Sequence, residues 1–261
     1  MWLEKSLWGY AGQCEHPFEV LIADDGSDER TEEVINRIRN QTGLNLKHVW
    51  HNDDGFRKCM ILNRAIEQSE GDYLVFSDGD CIPRSDFMAQ HRRLARRDHF
   101  LSGGYNQLPM DLSHRIGIET IRSGKAFSLA WLRKNGLSLN RKALRLVSRG
   151  RFASALCALT TTRPTWNGHN ASGWRRDLLR VNGFDERMRY GGEDCEMGER
   201  LSNLGIQPKQ IRFHAICIHL DHARGYVNAE DLRRNREIRH ETRTSKRTQT
   251  DFGIRLPAKA A

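Results

Sequence analysis

Two short apolar runs, each ending in a cluster of acids, constrain this chain most. Phe18-Glu19-Val20-Leu21-Ile22-Ala23 runs into Asp24-Asp25-Gly26-Ser27, and Asp72-Tyr73-Leu74-Val75-Phe76-Ser77 runs into Asp78-Gly79-Asp80. Runs of this length, closed by Asp, Gly and Ser, read as strands. Between them, apolar residues at 34, 35 and 38 give a helical period over 32–40, with Ser27, Asp28 and Thr31 as candidate caps. Residues 44–50 alternate like a strand, and 56–68 read as a helix carrying Phe56, Met60, Ile61, Leu62, Ala65 and Ile66. This alternation predicts an α/β domain around a largely parallel sheet. Ligands of such sheets sit at the carboxyl ends of strands, where both acidic clusters fall.

Further on, residues 86–98 read as a helix, and 112–165 lean helical with breaks at Gly136 and Gly150. Trp166–Asn170 is loop-like, Val181–Glu186 a turn, and Glu193–Leu204 a helix stopped by Gly205. Ala215–Leu220 reads as a strand, and the tail from Asn228 as a helix that then frays. Hydrophobic residues make up 38% of the 261, too many for a disordered chain, yet no run nears the ~18 needed to span a bilayer. The N-terminus has no secretory-signal pattern, and the six cysteines include no Cys-x-x-Cys pair, so a reducing, cytoplasmic setting is expected. The net charge of +9 is localised: between Glu119 and Asp177 there are twelve Lys and Arg residues and no acid. Such a block attracts polyanions or anionic surfaces, or serves as a solvated helix face.

Four groups of residues invite a chemical reading. The carboxylates of Asp78 and Asp80, on a turn leaving a buried strand, can converge on one hard divalent cation; the plain alternative is an acidic turn. Glu193 and Asp194 open a helix after two glycines, where one could serve as a general base or both could simply oppose the helix dipole. Cys217-Ile218-His219-Leu220-Asp221-His222 lacks the second ligand pair of a structural zinc site. Trp166, Asn167, His169, Asn170 and Trp174 form a polar-aromatic group suited to sugar surfaces, or to ordinary packing.

Five segments together resemble glycosyltransferase family 2. They are Glu19–Ser27, Gly55–Ile66, Gly71–Asp80, Val181–Glu186 and Gly191-Gly192-Glu193-Asp194, in the family's order; the last two resemble a motif of its galactosyltransferase-like members. The resemblance spans about residues 2–225 and implies a GT-A fold. Residues 1–110 would be the half binding a nucleotide-sugar donor, 111–225 an acceptor-binding half with a basic helical insert, and 226–261 a charged tail. It further implies Asp25 near uridine with Asp24 beside it, Arg57, Lys58 and Asn63 lining the donor pocket, and Asp78 on the ribose or sugar side. Asp80 would ligate Mn²⁺ or Mg²⁺ on the diphosphate, with a late histidine, His219 ahead of His222, completing the shell. Asp194 would be the base of an inverting displacement and Glu193 would orient sugar hydroxyls. Trp166, Asn170 and Trp174 would face acceptor or donor sugar.

The activity so implied is transfer of a hexose or N-acetylhexosamine from a UDP-sugar to a glycan or lipid-linked acceptor, as in lipopolysaccharide or other surface-glycan assembly. The basic stretch would bring the enzyme to the anionic inner face of the cell membrane. The sequence departs from the family at its start. Members begin with an apolar strand and a Thr-Tyr-Asn-like loop, whereas Trp2–Leu7 corresponds to the helix that follows. The first strand is therefore expected to be missing beside the strand ending at Asp24, leaving an open apolar groove, as in a truncated or mis-started chain. Two other readings remain: a basic protein binding nucleic acid or an anionic surface, though no helix-turn-helix, zinc-finger or RNA-stacking signature is present, and a truncated, inactive transferase.

Overall fold

The computed structural model describes residues 1–138, 141–223 and 227–255. The chain opens with helix α1 (Trp2–Ala11), followed by β1 (Glu19–Asp24), α2 (Glu29–Thr42), β2 (Asn45–Trp50), α3 (Lys58–Gln68) and β3 (Tyr73–Phe76). Next come β4 (Cys81–Pro83), α4 (Phe87–Leu94), β5 (His99–Ser102) and β6 (Gly104–Gln107). A run of short helices follows: α5 (Met110–Arg115), α6 (Ile118–Arg122), α7 (Leu129–Lys134), α8 (Leu144–Val147) and α9 (Gly150–Leu159). The rest is β7 (Ala171–Trp174), α10 (Arg175–Arg180), α11 (Glu193–Asn203), β8 (Gln207–Gln210), β9 (Ile216–His219) and α12 (Ala229–Thr244).

The alternation of the first eighty residues folds as its pattern dictates. Asp28 caps α2, its carboxylate accepting the Arg30 N–H, and Val34, Ile35 and Ile38 turn one buried stripe toward β1 and β2. β1 and β2 pair in parallel from Glu19 opposite Asn45 to Asp24 opposite Trp50. The largely parallel sheet expected for the whole is instead mixed. β3 pairs antiparallel with β7, β7 antiparallel with β5, and β5 parallel with β8; β9 lies between β4, antiparallel, and β6, parallel. The reason is topological: β7 arrives after the long helical insert rather than by a right-handed crossover helix, so nothing obliges it to run parallel.

β1 and β3 lie in different sheets, and among the described residues no strand lies between them. Their starts are tied by a side chain: the Glu19 carboxylate accepts the N–H groups of Glu70 and Gly71 at 2.7 and 3.0 Å. Their ends meet at the N-terminus of α3, where Asp25 takes the Arg57 N–H and Lys58 reaches Asp78. The two strands therefore run the same way across an apolar slot, with their carboxyl ends together.

Two further expectations need correcting. The helix read over 86–98 ends at Leu94, and strand β5 starts at His99. Among the described residues, which end at Arg255, the tail is held after α12; residues 256–261 of the expected frayed segment lie outside them. Asn182 donates to the carbonyls of Thr250 and Arg255, and the Thr250 hydroxyl donates to buried Asp185 at 2.7 Å. Those contacts turn a polar, low-periodicity stretch into a strap that sequence pattern alone does not reveal.

Candidate active site

The carboxyl ends of β1, β3 and β9 and the start of α11 converge on one cavity of about 1020 Å³. Its walls include Asp25, Lys58, Asp78, Asp80, Glu193, Asp194 and His219, and it continues into the slot between β1 and β3. Every one of these charged groups is held by a partner. Asp25 accepts the Arg57 N–H at 2.8 Å and contacts His51 Nε2 at 2.7 Å. Lys58, the first residue of α3, places Nζ 3.0 Å from Asp78 and 3.8 Å from Glu193. Burial alone would raise the Asp78 carboxyl, yet the Lys58 ammonium outweighs it and holds Asp78 below its ordinary range. Burial likewise works against the Lys58 charge, and Asp78 with Glu193 reverses that, so Lys58 is firmly cationic. Glu193 is raised, burial exceeding the pull of Lys58.

Glu193 and Asp194 owe their place to the glycines before them. Gly191 and Gly192 have φ of 110° and 92°, in the left-handed region, and a Cβ on Gly191 would lie 2.3 Å from Leu232. The turn they make lets the Gly191 N–H donate to the Glu193 carboxylate at 2.9 Å. Asp194 is anchored by the Gly168 N–H at 3.0 Å and the Cys195 N–H at 2.6 Å. Each of its oxygens keeps a second lone pair, so the carboxylate is oriented and still able to accept a proton.

At the end of β3, Asp80 sits against two histidines: its Oδ2 is 2.9 Å from His222 Nε2 and 3.6 Å from His219 Nε2. Ligand atoms of Asp78, Asp80, Cys81 and His219 lie within 4.8 Å of one another. Burial raises the Asp80 carboxyl, and the nearby Asp78 charge adds to this against the pull of the histidines. An acid crowded by a second acid beside histidine ring nitrogens fits a hard or borderline divalent cation. His222 stands nearer to Asp80 than His219 does, and both line the cavity.

The structure separates the remaining sequence-expected residues from this cavity. Asp24 is buried, its carboxylate taken by the Ser27 N–H and His48. The Arg57 guanidinium turns out to Asp54. Asn63 is a buried clamp, donating to the Phe184 carbonyl and accepting its N–H. Trp166 is fully buried, edge-on to Phe76. Asn170 is fully buried too, donating to the carbonyls of Gly104 and Ala215 and facing His91. Trp174 pairs with Tyr73 at the opposite end of β3, its indole N–H on the Arg96 carbonyl. Expectation placed these six at donor or acceptor; none lines the cavity.

Residues given no donor, metal or catalytic role from the sequence take their place. His169 projects from the loop before β7 and packs on Tyr105 with ring centroids 4.3 Å apart. Burial pushes His169 down to about 4, although Asp78 and Asp194 pull the other way, so it is neutral at pH 7. Tyr105, Gly168, Phe56 and Tyr190 also line the cavity. The loop 166–170 was visible as polar and aromatic, but nothing in the pattern said that its odd member, His169, faces the site while Trp166 and Asn170 enter the core.

Residues 2–108 match the family model for glycosyl transferase family 2. Over 203 residues the chain is 23% identical to chondroitin synthase of Escherichia coli, covering 75% of this chain and 29% of that protein. It is 26% identical over 246 residues to validoxylamine A glucosyltransferase of Streptomyces hygroscopicus subsp. limoneus, covering 89% of this chain and 52% of the other. The chain thus spans less than two thirds of the length of these relatives. Among solved structures it resembles the mannosyltransferase PcManGT from Pyrobaculum calidifontis in complex with GDP-Man and Mn²⁺. That match has a TM-score of 0.56 at 19% identity and covers 86% of this chain and 55% of the other. The family 2 glycosyl transferase model thus accounts for residues 2–108, and the likeness to solved structures gives the whole chain a GT-A-like fold.

Proposed function

We propose that the chain moves a hexose or N-acetylhexosamine from a UDP-sugar to a hydroxyl of a glycan or lipid-linked glycan, with inversion at the anomeric carbon. One observation carries this reading: Lys58, Asp78, Asp80, Glu193, Asp194 and His219, from four separate segments, wall a single cavity at the strand ends. The Mn²⁺ complex of PcManGT with GDP-Man supports a nucleotide-sugar donor with a metal.

In this reading residues 1–110 bind the donor, 111–225 the acceptor, and 226–261 form a charged tail. Asp25 and the α3 N-terminus face the nucleoside. Asp80, with His219 and His222, would hold Mn²⁺ or Mg²⁺, which when bound neutralises charge on the leaving diphosphate. Lys58 adds a fixed positive charge and keeps Asp78 ionised. Asp194 accepts the proton of the acceptor hydroxyl as its oxygen bonds to the anomeric carbon. The anomeric C–O bond to the diphosphate breaks on the opposite face, and the electron pair leaves with UDP. Glu193, raised by burial, is suited to hydrogen-bond sugar hydroxyls. Gly191–Asp194 then plays the acceptor-side part known from galactosyltransferase-like members.

The setting proposed is surface-glycan or lipopolysaccharide assembly at the inner face of the cell membrane. Transfer assays with UDP-hexoses and UDP-N-acetylhexosamines, with and without Mn²⁺, test the reaction, and the anomeric configuration of the product tests inversion. Absence of UDP release from every donor in the presence of metal and mixed glycan acceptors would overturn it.

A further inference from the structure

The helical insert carries a surface that the transfer reaction does not use. On α9, Phe152, Ala155 and Leu159 fall at i, i+3 and i+7, one stripe of the helix, while Ala153 on another side is buried. The stripe points outward: Phe152 is 54% exposed and Leu159 78%. On the preceding helix α8, Leu144 and Val147 are 44% and 48% exposed. Four large apolar side chains on two successive short helices make a ridge, not scattered surface residues.

The ridge is rimmed by one sign of charge. Arg141, Arg149, Arg151 and Arg163 are exposed around it, and none has a carboxylate partner among the described residues. The Arg122–Glu119 pair lies outside it, at the start of the insert. Two arginines beside the ridge are tied to backbone, Arg145 to the Tyr105 carbonyl and Arg149 to the carbonyls of Leu146 and Ser148; both are lowered, by burial first and then by Arg212 and Arg84 respectively. A polyanion such as RNA would satisfy the arginines but leave the apolar ridge in water. A lipid bilayer with anionic headgroups satisfies both. Among the described residues no helix is long and apolar enough to cross a membrane, so contact through this face would be interfacial.

The face adjoins the cavity. The Arg145 guanidinium donates to the Tyr105 carbonyl at 2.6 Å, and the Tyr105 ring packs on His169 and His219 inside the site. We propose that α8 and α9 form a docking face for an anionic bilayer, Phe152 and Leu159 entering at headgroup depth and the arginines meeting lipid phosphates. Its use, presenting the cavity to a lipid-linked acceptor, rests on the function proposed above; the binding itself does not.

The test is co-sedimentation of the full chain with vesicles of phosphatidylglycerol and phosphatidylcholine, against phosphatidylcholine alone. The expected result is binding only to the anionic vesicles, weakened by salt. It should fall roughly tenfold in F152S/L159S and by a similar factor in R141S/R151S, with both melting temperatures unchanged. Equal binding to both vesicles, or full binding by F152S/L159S, would overturn the proposal. So would a dimer in lipid-free buffer that F152S/L159S dissociates, which would make the ridge a self-association face. Salt-steep binding to duplex DNA or RNA that ignores F152S/L159S, with no vesicle binding, would assign the charge to nucleic acid instead. A chain that binds vesicles but releases no UDP keeps this proposal and loses the catalytic one.

Discussion

The strand-end region and the helical insert use charge in opposite ways. Around the cavity, acids and bases are buried or half-buried and each is held in place: Lys58 between Asp78 and Glu193, Asp80 against two histidines, Asp194 on two backbone N–H groups. In the insert, the charge is of one sign and stands in solvent beside exposed Phe152 and Leu159. Partnered, desolvated charge fixes geometry and costs much to disturb. Unpartnered surface charge fixes little geometry but shapes the field that a partner meets. The contrast separates where chemistry is built from where encounter is built.

The largest expected effect of breaking this contrast is at Asp80. Asp80→Asn should lower donor turnover about 10³-fold with an unchanged melt; turnover within tenfold of wild type in steady-state assays would remove Asp80 from the site. Arg200 is next. It is fully buried, its guanidinium on Glu196 and on the Val181 carbonyl, and Glu196 also accepts from Thr242. Arg200→Met leaves Glu196 charged without its partner and should cost about 3 kcal/mol in urea unfolding, whereas a loss below about 1 kcal/mol would deny the pair its structural role.

Acid should act on the buried region before it acts on the insert. His91 is fully buried between Ser172 and Asn170, and burial pushes it down to about 4, the Asn170 contact opposing only in part. Because the folded value lies below the unfolded one, the unfolded chain binds the proton first. The stability is intact above about pH 6.5 and is lost progressively as pH falls toward 4. His91 alone should account for a loss of about 2 kcal/mol between pH 7 and pH 5, read from denaturant midpoints as the part of the slope that His91→Gln removes, the share of His169 remaining. The smallest effect belongs to the insert: R141S/R151S should change unfolding free energy by less than about 0.5 kcal/mol. A larger loss would mean that these arginines fasten the fold.

The two regions also differed in how far the sequence could be read. Strand β1, helix α2 and strand β3 announced themselves through period and through the acids at their ends, because burial of one face leaves a periodic trace. Asp78, Asp80, Glu193 and Asp194 stood out for a related reason, each following or opening such an element, whereas Lys58 was named only through the family resemblance. Trp166, Asn170 and Trp174 lie outside the cavity because residue type says what a side chain can bind, not which way its loop faces. Asn63 and Asp24, expected from the resemblance to serve the donor, bond neighbouring groups of the fold instead. His169 was seen only as one of a polar-aromatic group, not as the member that faces the cavity, and the docked tail went unseen because its partners, Asn182 and Asp185, lie far away in the chain.

The central claim, that the strand-end cavity is a metal-assisted nucleotide-sugar site, is tested most directly by a thermal melt of the 261-residue chain with Mn²⁺, UDP, or both. The account predicts that UDP with Mn²⁺ stabilises the fold by about 2.7 kcal/mol at a hundredfold excess over its dissociation constant, that UDP alone does much less, and that Asp80→Asn abolishes the difference. A melt indifferent to UDP, GDP and their sugars with metal present, or an equal shift in Asp80→Asn, would contradict it.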